Sequence, residues 1–396
     1  MFECTDPLGC VHIAPDAPVR FGILQALSGK VRPLGLEQIR GIELALDARG
    51  NKVAGHPVAL QTEDTGCTAE GGTNSALKVM ANPQTLAIIG TTCSTAGAAA
   101  SREVAEAGMV MISGNNSAPF LTSIRGKKAP NWQEGYFRTA CNEENAGKAA
   151  ALYAFGHLGV HKAAVVNDGD IYTAGLTDGF HAAFEKLGGL VVLSTTVNKG
   201  DSDMAPVLEA VRISQADMLF FPLFQPEGNR ILAQARQTPG LENLILMSDG
   251  ALIEASFLAA MGEAALGMYF VGPATSETTA GRDLALAYEQ KYKTRPMTTY
   301  YLSAFDAASL LFTAVEACTT RDTDGTLHMG REALRKTLYA TRNFKGVTGN
   351  LNCDPFGDCA SPRFNILRLD SLEKGLDGLL TNSVYTYQPE TGDSLQ

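Results

Sequence analysis

Two segments, VALQTEDTGC (residues 58–67) and LAIIGTTCS (residues 86–94), share one pattern: an apolar run, then a polar turn that carries a cysteine. Such runs are typical of buried strands. If the two strands are parallel neighbours, their carboxyl ends lie together and bring Cys67 to Cys93. The chain has eight cysteines and no C-x-x-C pair, which favours disulfides over a zinc or thioredoxin-type site. Disulfides in turn indicate a location outside the cytosol.

The other cysteines are interpreted in the same way. We expect two short disulfide loops, and the last pair follows only by elimination: Cys4 with Cys10, Cys353 with Cys359, and Cys141 with Cys318. The alternative is a set of buried free thiols, against which the even count and the two close pairs argue.

Composition narrows the class of protein. The chain has 396 residues, enough for two domains, and a net charge of −10, which argues against a nucleic-acid or anionic-membrane partner. No apolar run is expected to reach the length of a membrane helix. No signal peptide follows Met1, so an exported protein would have lost a leader.

Strand-like and helix-like patterns alternate along the chain. One series extends from Val19 to Ser113 and a second from Ala163 to Ser248, each with short strands followed by helices of about ten residues or more. This alternation predicts two α/β lobes with parallel sheets. A polar, basic stretch, Thr122–Trp132, separates the two series.

Ligands of open α/β sheets bind beyond the carboxyl ends of the strands. There, Ser94 is predicted to be the N-cap of a helix, and Ser117, before Ala118-Pro119, is predicted to be another. Two hydroxyl groups and free helix amides at neighbouring strand ends could bind one carboxylate. Plain caps that bind nothing are the alternative.

In the second series, a different set of side chains follows the ends of the strands. Tyr172 could cover a ligand or merely pack, and Phe224 could line a pocket. Asp249 is either a turn residue or the counter-charge for a ligand amine, since an unpaired buried carboxylate is costly.

Catalytic motifs are absent: the chain has no G-x-S-x-G, Walker, G-x-G-x-x-G or H-E-x-x-H sequence. His157 and His161 have helical spacing but flank Gly159, and we interpret them as surface residues. We therefore predict no enzyme activity, no cofactor and no metal.

The ordered motifs resemble the periplasmic leucine/isoleucine/valine-binding protein family, the type I solute receptors of ABC importers. The resemblance extends from Val19 to Leu367 and is carried by ALSGKVRPLGLEQIRGIELAL, EDTGC, IIGTTCS, SGNNSAPFLT, FRTA, DGDIYTAGL, DMLFFPLFQPEGNRILAQAR and FKGVTGNLNCD.

The resemblance implies an α/β fold of two Rossmann-like parallel-sheet lobes with the ligand cleft between them. Lobe I would comprise residues 1–138 and 251–340, and lobe II residues 139–250 and 341–396. The three hinge segments would lie near Arg138–Cys141, Met247–Gly250 and Ala340–Lys345.

The resemblance also implies residue roles. Ser94 and Ser117 would hold the α-carboxylate, with Ser117 and the Asn115 carbonyl also touching the amine. Tyr172 would close on the ligand and Asp249 would pair with the ammonium. The chain departs from the family pattern at Leu34, Phe224 and Asp249, and the first two favour an aliphatic or aromatic ligand side chain. Cys93, beside Ser94, completes the expected ligand-facing set, and the Cys67–Cys93 pair matches a family disulfide.

The leading hypothesis is therefore a monomeric extracytoplasmic solute-binding protein. It would capture an amino acid by hinge closure and deliver it to the membrane permease of an ABC importer, from the periplasm or a lipid-anchored position at the cell surface. Cys4 as the lipidated residue is conceivable, although Met-Phe-Glu is not a lipobox. The alternatives are a ligand-sensing receptor of the same fold, binding a small carboxylate or amide without an α-amine, and an α/β amide hydrolase.

Overall fold

In this computed structural model the described residues are 2–274 and 278–388. The strands are β1 (Cys10–Ile13), β2 (Val19–Gln25), β3 (Lys52–Val53), β4 (His56–Asp64), β5 (Thr85–Gly90), β6 (Val110–Ser113), β7 (Ser123–Ile124), β8 (Lys127–Lys128), β9 (Tyr136–Arg138), β10 (Lys162–Asn167), β11 (Leu190–Thr196), β12 (Met218–Phe220), β13 (Ile245–Asp249), β14 (Tyr269–Pro273), β15 (Thr319–Arg321), β16 (Leu327–Gly330), β17 (Phe344–Lys345), β18 (Asn350–Leu351), β19 (Phe364–Arg368) and β20 (Ser383–Tyr387). The helices are α1 (Arg32–Asp47), α2 (Ala69–Met80), α3 (Ser94–Glu106), α4 (Glu144–Gly156), α5 (Ile171–Lys186), α6 (Ala205–Ser214), α7 (Glu227–Ala235), α8 (Ala255–Met261), α9 (Thr279–Tyr292), α10 (Tyr300–Cys318), α11 (Arg331–Tyr339) and α12 (Gly375–Thr381).

The chain divides into two compact units. Unit 1 comprises Met1–Cys141 and Ser276–Ser361, and unit 2 comprises Asn142–Thr275 and Pro362–Gln396. The expected division differs at three places. Residues 139–141 belong to unit 1. Residues 251–275 belong to unit 2 because β14 pairs with β13, and residues 341–361 belong to unit 1 because Leu351 and the Cys353–Cys359 loop pack into its core.

The crossing points follow from this division. The chain passes from one unit to the other after Cys141, Thr275 and Ser361. The expected segment Arg138–Cys141 adjoins the first crossing. The other two expected segments lie inside a unit: Met247–Gly250 ends a strand of unit 2, and Ala340–Lys345 follows α11 in unit 1.

Unit 1 is built on a six-stranded sheet of order β3-β4-β2-β5-β6-β9, parallel except for β3 against β4. The central strand β5 is buried along its whole length, as its continuous apolar sequence predicts. Apolar side chains of α1, α10 and α11 share one core with these strands. The carboxyl ends of β2, β5 and β6 therefore meet at one edge of the sheet, which places the loops after them together.

Helix α10 is the longest and most apolar element of unit 1. By length and composition it could span a membrane, contrary to the expectation from the sequence, but 67% of its apolar window is buried inside the protein. Its buried residues, among them Ala307, Leu311 and Val315, pack in the core of unit 1. This packing is typical of the core helix of a globular domain.

Unit 2 is built on a seven-stranded sheet of order β11-β10-β12-β13-β14-β19-β20. The first five strands are parallel, and β19 and β20 are antiparallel additions. A core of aliphatic residues and Phe221, Phe257 and Phe270 fills one side. As in unit 1, the carboxyl ends of the parallel strands bring their following loops to one edge.

Three of the expected disulfides are confirmed: Cys4–Cys10, Cys67–Cys93 and Cys353–Cys359. Because Cys4 is bonded to Cys10, it is not a lipid-attachment residue. The proposed Cys141–Cys318 pair is wrong, and both residues are thiols. Thr139 donates to the Ser303 carbonyl (2.7 Å) in the first turn of α10, whereas Cys318 ends that helix. The fifteen steps from Ser303 to Cys318 rise roughly 22 Å along the helix, too far for a bond to Cys141.

Candidate functional site

We use the term unit 1 half-site for four predicted ligand-binding residues of unit 1, which are Leu34, Ser94, Asn115 and Ser117. Ser94 follows the end of β5. Helix α3 starts at Ser94, and its N-cap is Cys93, which makes no side-chain cap bond. The prediction that Ser94 is the cap is therefore off by one residue, since Cys93 has the extended backbone of an N-cap and Ser94 is already helical. Ser94 is 2% exposed. At the first helical position its hydroxyl still lies beside amides that have no partner within the helix.

Ser94 is tied to the neighbouring loop. Its Oγ accepts a hydrogen bond from the Ala118 amide at 3.3 Å. Ser117 lies directly before Ala118 and is 5% exposed. It is not the predicted cap: the short 3-10 helix Pro119–Leu121 has Ala118 as its N-cap, without a side-chain bond. The structure nevertheless brings the backbone of Ser117 close to Ser94.

Asn115 fixes the same loop from its other side. Its Nδ2 donates to the Thr92 carbonyl at 3.0 Å, and its amide donates to Ser113 Oγ at 3.1 Å. Thr92 in turn donates to Gln25 Oε1 at 2.8 Å, which reaches β2. The Asn115 side chain is therefore used to join the loops after β5 and β6.

Leu34 lies at the same edge of the sheet. It is in the first turn of α1 and is 2% exposed. A Cβ on Gly35 would lie 2.1 Å from the Ala26 carbonyl oxygen, so only glycine lets this turn pack so closely on the end of β2. Leu34 thus supplies a buried apolar side chain near the carboxyl end of β2.

Sequence reasoning missed two residues that support this half-site. Asn116 is fully buried and joins the loops after β5 and β6 by accepting from the Thr91 amide (3.1 Å) and donating to the Thr91 carbonyl (2.9 Å). Arg138 is also fully buried, at the end of β9. An arginine at the end of the apolar run Tyr136–Phe137 was the available signal, because a buried charge requires partners.

The unit 2 half-site comprises Tyr172, Phe224 and Asp249. Asp249 is the last residue of β13. Tyr172, in the first turn of α5, donates its hydroxyl to Asp249 Oδ2. Ser248 Oγ donates to Asp249 Oδ1, and the Ala251 amide donates to Oδ2, each at 3.3 Å. Phe224 follows β12, and its ring centroid lies 5.2 Å from that of Tyr172. The three residues predicted for this lobe therefore lie together.

Burial changes the acidity of this site. Asp249 is 1% exposed, and burial raises its pKa to about 7 even though hydrogen bonds from Tyr172 and Ala251 lower it. Within the described part of unit 2, no lysine or arginine pairs with it. A carboxylate kept in such surroundings is stabilised by any cationic group that reaches it.

A second buried acid supports the same loops. Burial raises the pKa of Glu254 to about 7, and its Oε2 accepts from Gln225 (2.7 Å) and Ser256 (2.8 Å). Gln225 follows Phe224 in the chain. Through its hydrogen bond to Gln225, Glu254 therefore stabilises the loop that carries Phe224.

Over the described ranges, no group of three or more histidine, cysteine, aspartate or glutamate side chains could hold a metal ion. His157 and His161 are exposed. Chemically, the unit 1 half-site offers hydroxyl and amide groups suited to an anion, and the unit 2 half-site offers an acid and aromatic rings.

Comparison with known proteins agrees with these features. Residues 18–360 match a family model described as "Periplasmic binding protein". The Leu/Ile/Val-binding protein homolog 3 of Brucella melitensis is 24% identical over 360 residues, which cover 90% of this chain and 93% of the relative.

Two solved structures share the fold. A leucine-binding protein of Thermotoga maritima aligns with a TM-score of 0.78 at 23% identity, covering 89% of this chain and 96% of its own. A solute-binding protein of an ABC transporter from Rhodopseudomonas palustris, in complex with p-hydroxybenzoic acid, aligns with a TM-score of 0.79 at 21% identity, covering 95% and 99%.

Proposed function

This chain belongs to the periplasmic binding protein family, and we propose that it captures an amino acid with an aliphatic or aromatic side chain for the membrane permease of an ABC importer. The names of relatives support the ligand class, since they include Leu/Ile/Val-binding proteins. Three disulfides support a location outside the cytoplasm. The protein acts as a monomer that binds and releases its ligand unchanged.

The observation that carries the proposal is the buried Asp249. Its carboxyl group has hydrogen-bond donors in Tyr172, Ser248 and Ala251, and within the described part of unit 2 it has no cationic partner. A ligand ammonium supplies the missing positive charge. The hydrogen bond from Tyr172 holds the acid in place while the ammonium binds.

The ligand carboxylate is assigned to unit 1. The Ser94 hydroxyl and the first amides of α3 lie at the positive end of a helix of 13 residues, where anions are stabilised by about 0.3–1 kcal/mol or more. Ser117 and Asn115 lie on the adjoining loop. Apolar Leu34 and Phe224 then contact the ligand side chain, and neither offers a partner to a charged one.

The proposal assigns one set of ligand contacts, those to the carboxylate, to unit 1 and the other set, those to the ammonium, to unit 2. Loss of either set should therefore weaken binding of the whole ligand. This dependence on two separate half-sites is what makes the proposal testable by single substitutions.

The test is isothermal titration with leucine, isoleucine, valine, phenylalanine and tyrosine. Ser94→Ala and Asp249→Ala should each weaken binding by roughly 1–3 kcal/mol, the range for leaving a buried polar partner unpaired. Ser101→Ala is the control, since Ser101 is a buried serine of the same helix that donates to the Ala98 carbonyl at 3.2 Å. Wild-type affinity in both site variants contradicts the assignment.

One alternative has its own observation. A neutral Asp249, whose pKa of about 7 leaves much of it protonated near neutral pH, can donate a hydrogen bond to a ligand without an amine. The Rhodopseudomonas palustris neighbour was solved with p-hydroxybenzoic acid. Titration with benzoate and 4-hydroxybenzoate distinguishes the two: binding of these acids alone would favour the receptor of a small carboxylate lacking an α-amine.

A further inference from the structure

We propose that Arg138, Thr122 and Asp358 form an internal clamp that sets the position of Ser117 and links the unit 1 half-site to the Cys353–Cys359 loop. Arg138 is a positioning residue in this scheme and does not touch the ligand. The inference rests on the proposed function for its effect on ligand affinity, but the clamp itself can be tested without ligand.

Arg138 donates hydrogen bonds to the main chain on both sides of Ser117. Its Nη1 donates to the Asn116 carbonyl at 3.2 Å and to the Ala118 carbonyl at 2.7 Å. Two bonds from one guanidinium nitrogen to the residues before and after Ser117 fix the direction of that peptide segment. The Ser94 Oγ bond to the Ala118 amide adds a third fixed point.

The rest of the guanidinium group is held by Thr122 and Asp358. Nη2 donates to Thr122 Oγ1 at 2.6 Å, and Nε donates to Asp358 Oδ1. Thr122 Oγ1 also donates to Asp358 Oδ2 at 2.9 Å, which closes the ring of contacts. The planar fork of arginine is needed here because the partners lie in several directions, which an ammonium group on a flexible stem does not match.

Asp358 comes from a distant loop whose shape is fixed. The loop is closed by the Cys353–Cys359 disulfide. Asp354 Oδ1 accepts from the amides of Phe356 (2.8 Å) and Asp358 (2.9 Å). The main chain adds bonds from the Arg138 amide to the Gly357 carbonyl and from the Cys359 amide to the Arg138 carbonyl, each 2.9 Å. Asp358 is therefore presented to Arg138 in one orientation.

The energetics argue that the clamp has a role beyond stability. A buried ion pair is often no more stabilising than apolar residues of the same volume, because removing two charges from water is costly. What the pair supplies is orientation: Arg138 is fully buried and directs its donors to the Ser117 segment. A ligand that contacts Ser117 therefore acts, through Arg138, on the Cys353–Cys359 loop.

A tryptophan side chain contacts the Cys353–Cys359 loop, and its fluorescence can report changes in the position of that loop. Trp132 is the single tryptophan in the chain. Its Nε1 donates to the carbonyl of Phe356, inside the disulfide loop, at 3.1 Å. Any shift of the loop changes this hydrogen bond and hence the fluorescence emission of Trp132.

The first experiment compares Arg138→Lys and Asp358→Asn with Arg335→Lys. Arg335 is the matched control: it is also buried in unit 1 and donates to two main-chain carbonyls, those of Ala105 and Met109, which are remote from Ser117. Amide hydrogen exchange is measured without ligand. We expect faster exchange over residues 114–122 in the two clamp variants and not in the control. Unchanged exchange there in folded clamp variants overturns the clamp.

The second experiment measures affinity for the amino acid that the wild type binds. The clamp variants should raise Kd by roughly 10–100-fold, and the control should leave it within about twofold. Ligand should also shift Trp132 emission in the wild type but not in Asp358→Asn. Wild-type Kd and an unchanged emission shift in Asp358→Asn would refute the coupling.

The two failures are distinguishable. If the wild type binds none of the amino acids or benzoates, the proposed function fails, while the ligand-free exchange result still decides the clamp. If Arg138→Lys does not fold, Asp358→Asn and the double variant Cys353→Ser/Cys359→Ser carry the test, since each loosens the acid partner and leaves the arginine in place.

Discussion

Replacing Asp249 by asparagine should make the protein more stable at alkaline pH while it weakens the binding of amino acids. Asparagine has the same shape and can still accept from the Tyr172 hydroxyl and the Ala251 amide. It removes the charge and replaces Oδ1, which accepts from Ser248, by an NH2 group that can donate to the Ser248 hydroxyl. Because Asp249 is 1% exposed and its pKa is raised to about 7, ionised Asp249 is unfavourable in the folded protein.

The magnitude follows from the two pKa values. In the folded protein the pKa of Asp249 rises from its ordinary value of 3.8 to about 7. This shift means that the folded protein with ionised Asp249 is less stable, by up to about 4 kcal/mol, than the folded protein with protonated Asp249. The folded-state pKa is raised, so the folded protein binds more protons than the unfolded chain in this window. The stabilising contribution is therefore complete below about pH 4 and is lost as the pH rises through 7.

Chemical unfolding without ligand, followed by far-ultraviolet circular dichroism, measures this difference. Near pH 4, wild type and Asp249→Asn should have similar free energies of unfolding. The variant should be more stable by roughly 1.5 kcal/mol at pH 5 and by roughly 4 kcal/mol at pH 8. The raised pKa of Glu254 affects both proteins equally and cancels. A difference between the two proteins that does not change with pH would refute the reasoning.

Two further stability predictions concern unit 1. Removing the Cys67–Cys93 disulfide by serine substitution at both positions should lower the free energy of unfolding by roughly 3–4 kcal/mol, the loop-closure value for a separation of 26 residues, and thermal unfolding of oxidised wild type against the variant checks it. Asp6→Ala should cost roughly 0.5–2 kcal/mol, because its carboxylate accepts from the Glu332 (3.1 Å) and Ala333 (3.0 Å) amides at the start of α11; an Asp16→Ala control, at an exposed aspartate of the same region, should leave the melting temperature unchanged.

Much of the fold could be predicted because local patterns were strong. The predicted series from Val19 to Ser113 corresponds to β2–β6 with helices α1–α3, and the series from Ala163 to Ser248 corresponds to β10–β13 with helices α5–α7. Helix α4 was missed: its sequence ENAGKAAALYAFG has no regular alternation of apolar and polar residues, and seven of its residues are buried. A helix buried on most sides lacks the amphipathic pattern on which such predictions depend.

The sequence by itself determined which loops gather at the carboxyl ends of the strands. Strand ends in an α/β pattern are places where side chains gather, and this rule alone brought Ser94 together with Ser117, and Tyr172 with Asp249. Three disulfides were predicted correctly, two of them from short loops. The premise for Cys67–Cys93 was wrong, because β2 lies between β4 and β5, and the two cysteines meet because all three strands end at the same edge of the sheet.

Tertiary structure decided the rest. It assigned the N-cap of α3 to Cys93. It placed Thr139, two residues before Cys141, at the first turn of α10, whereas Cys318 ends that helix. It also gave Arg138 a partner, Asp358, that lies 220 residues away. Local sequence specifies periodicity and turn chemistry, but a buried charge is satisfied by whichever group packing brings within hydrogen-bond distance, and that information is held in the contacts between distant segments.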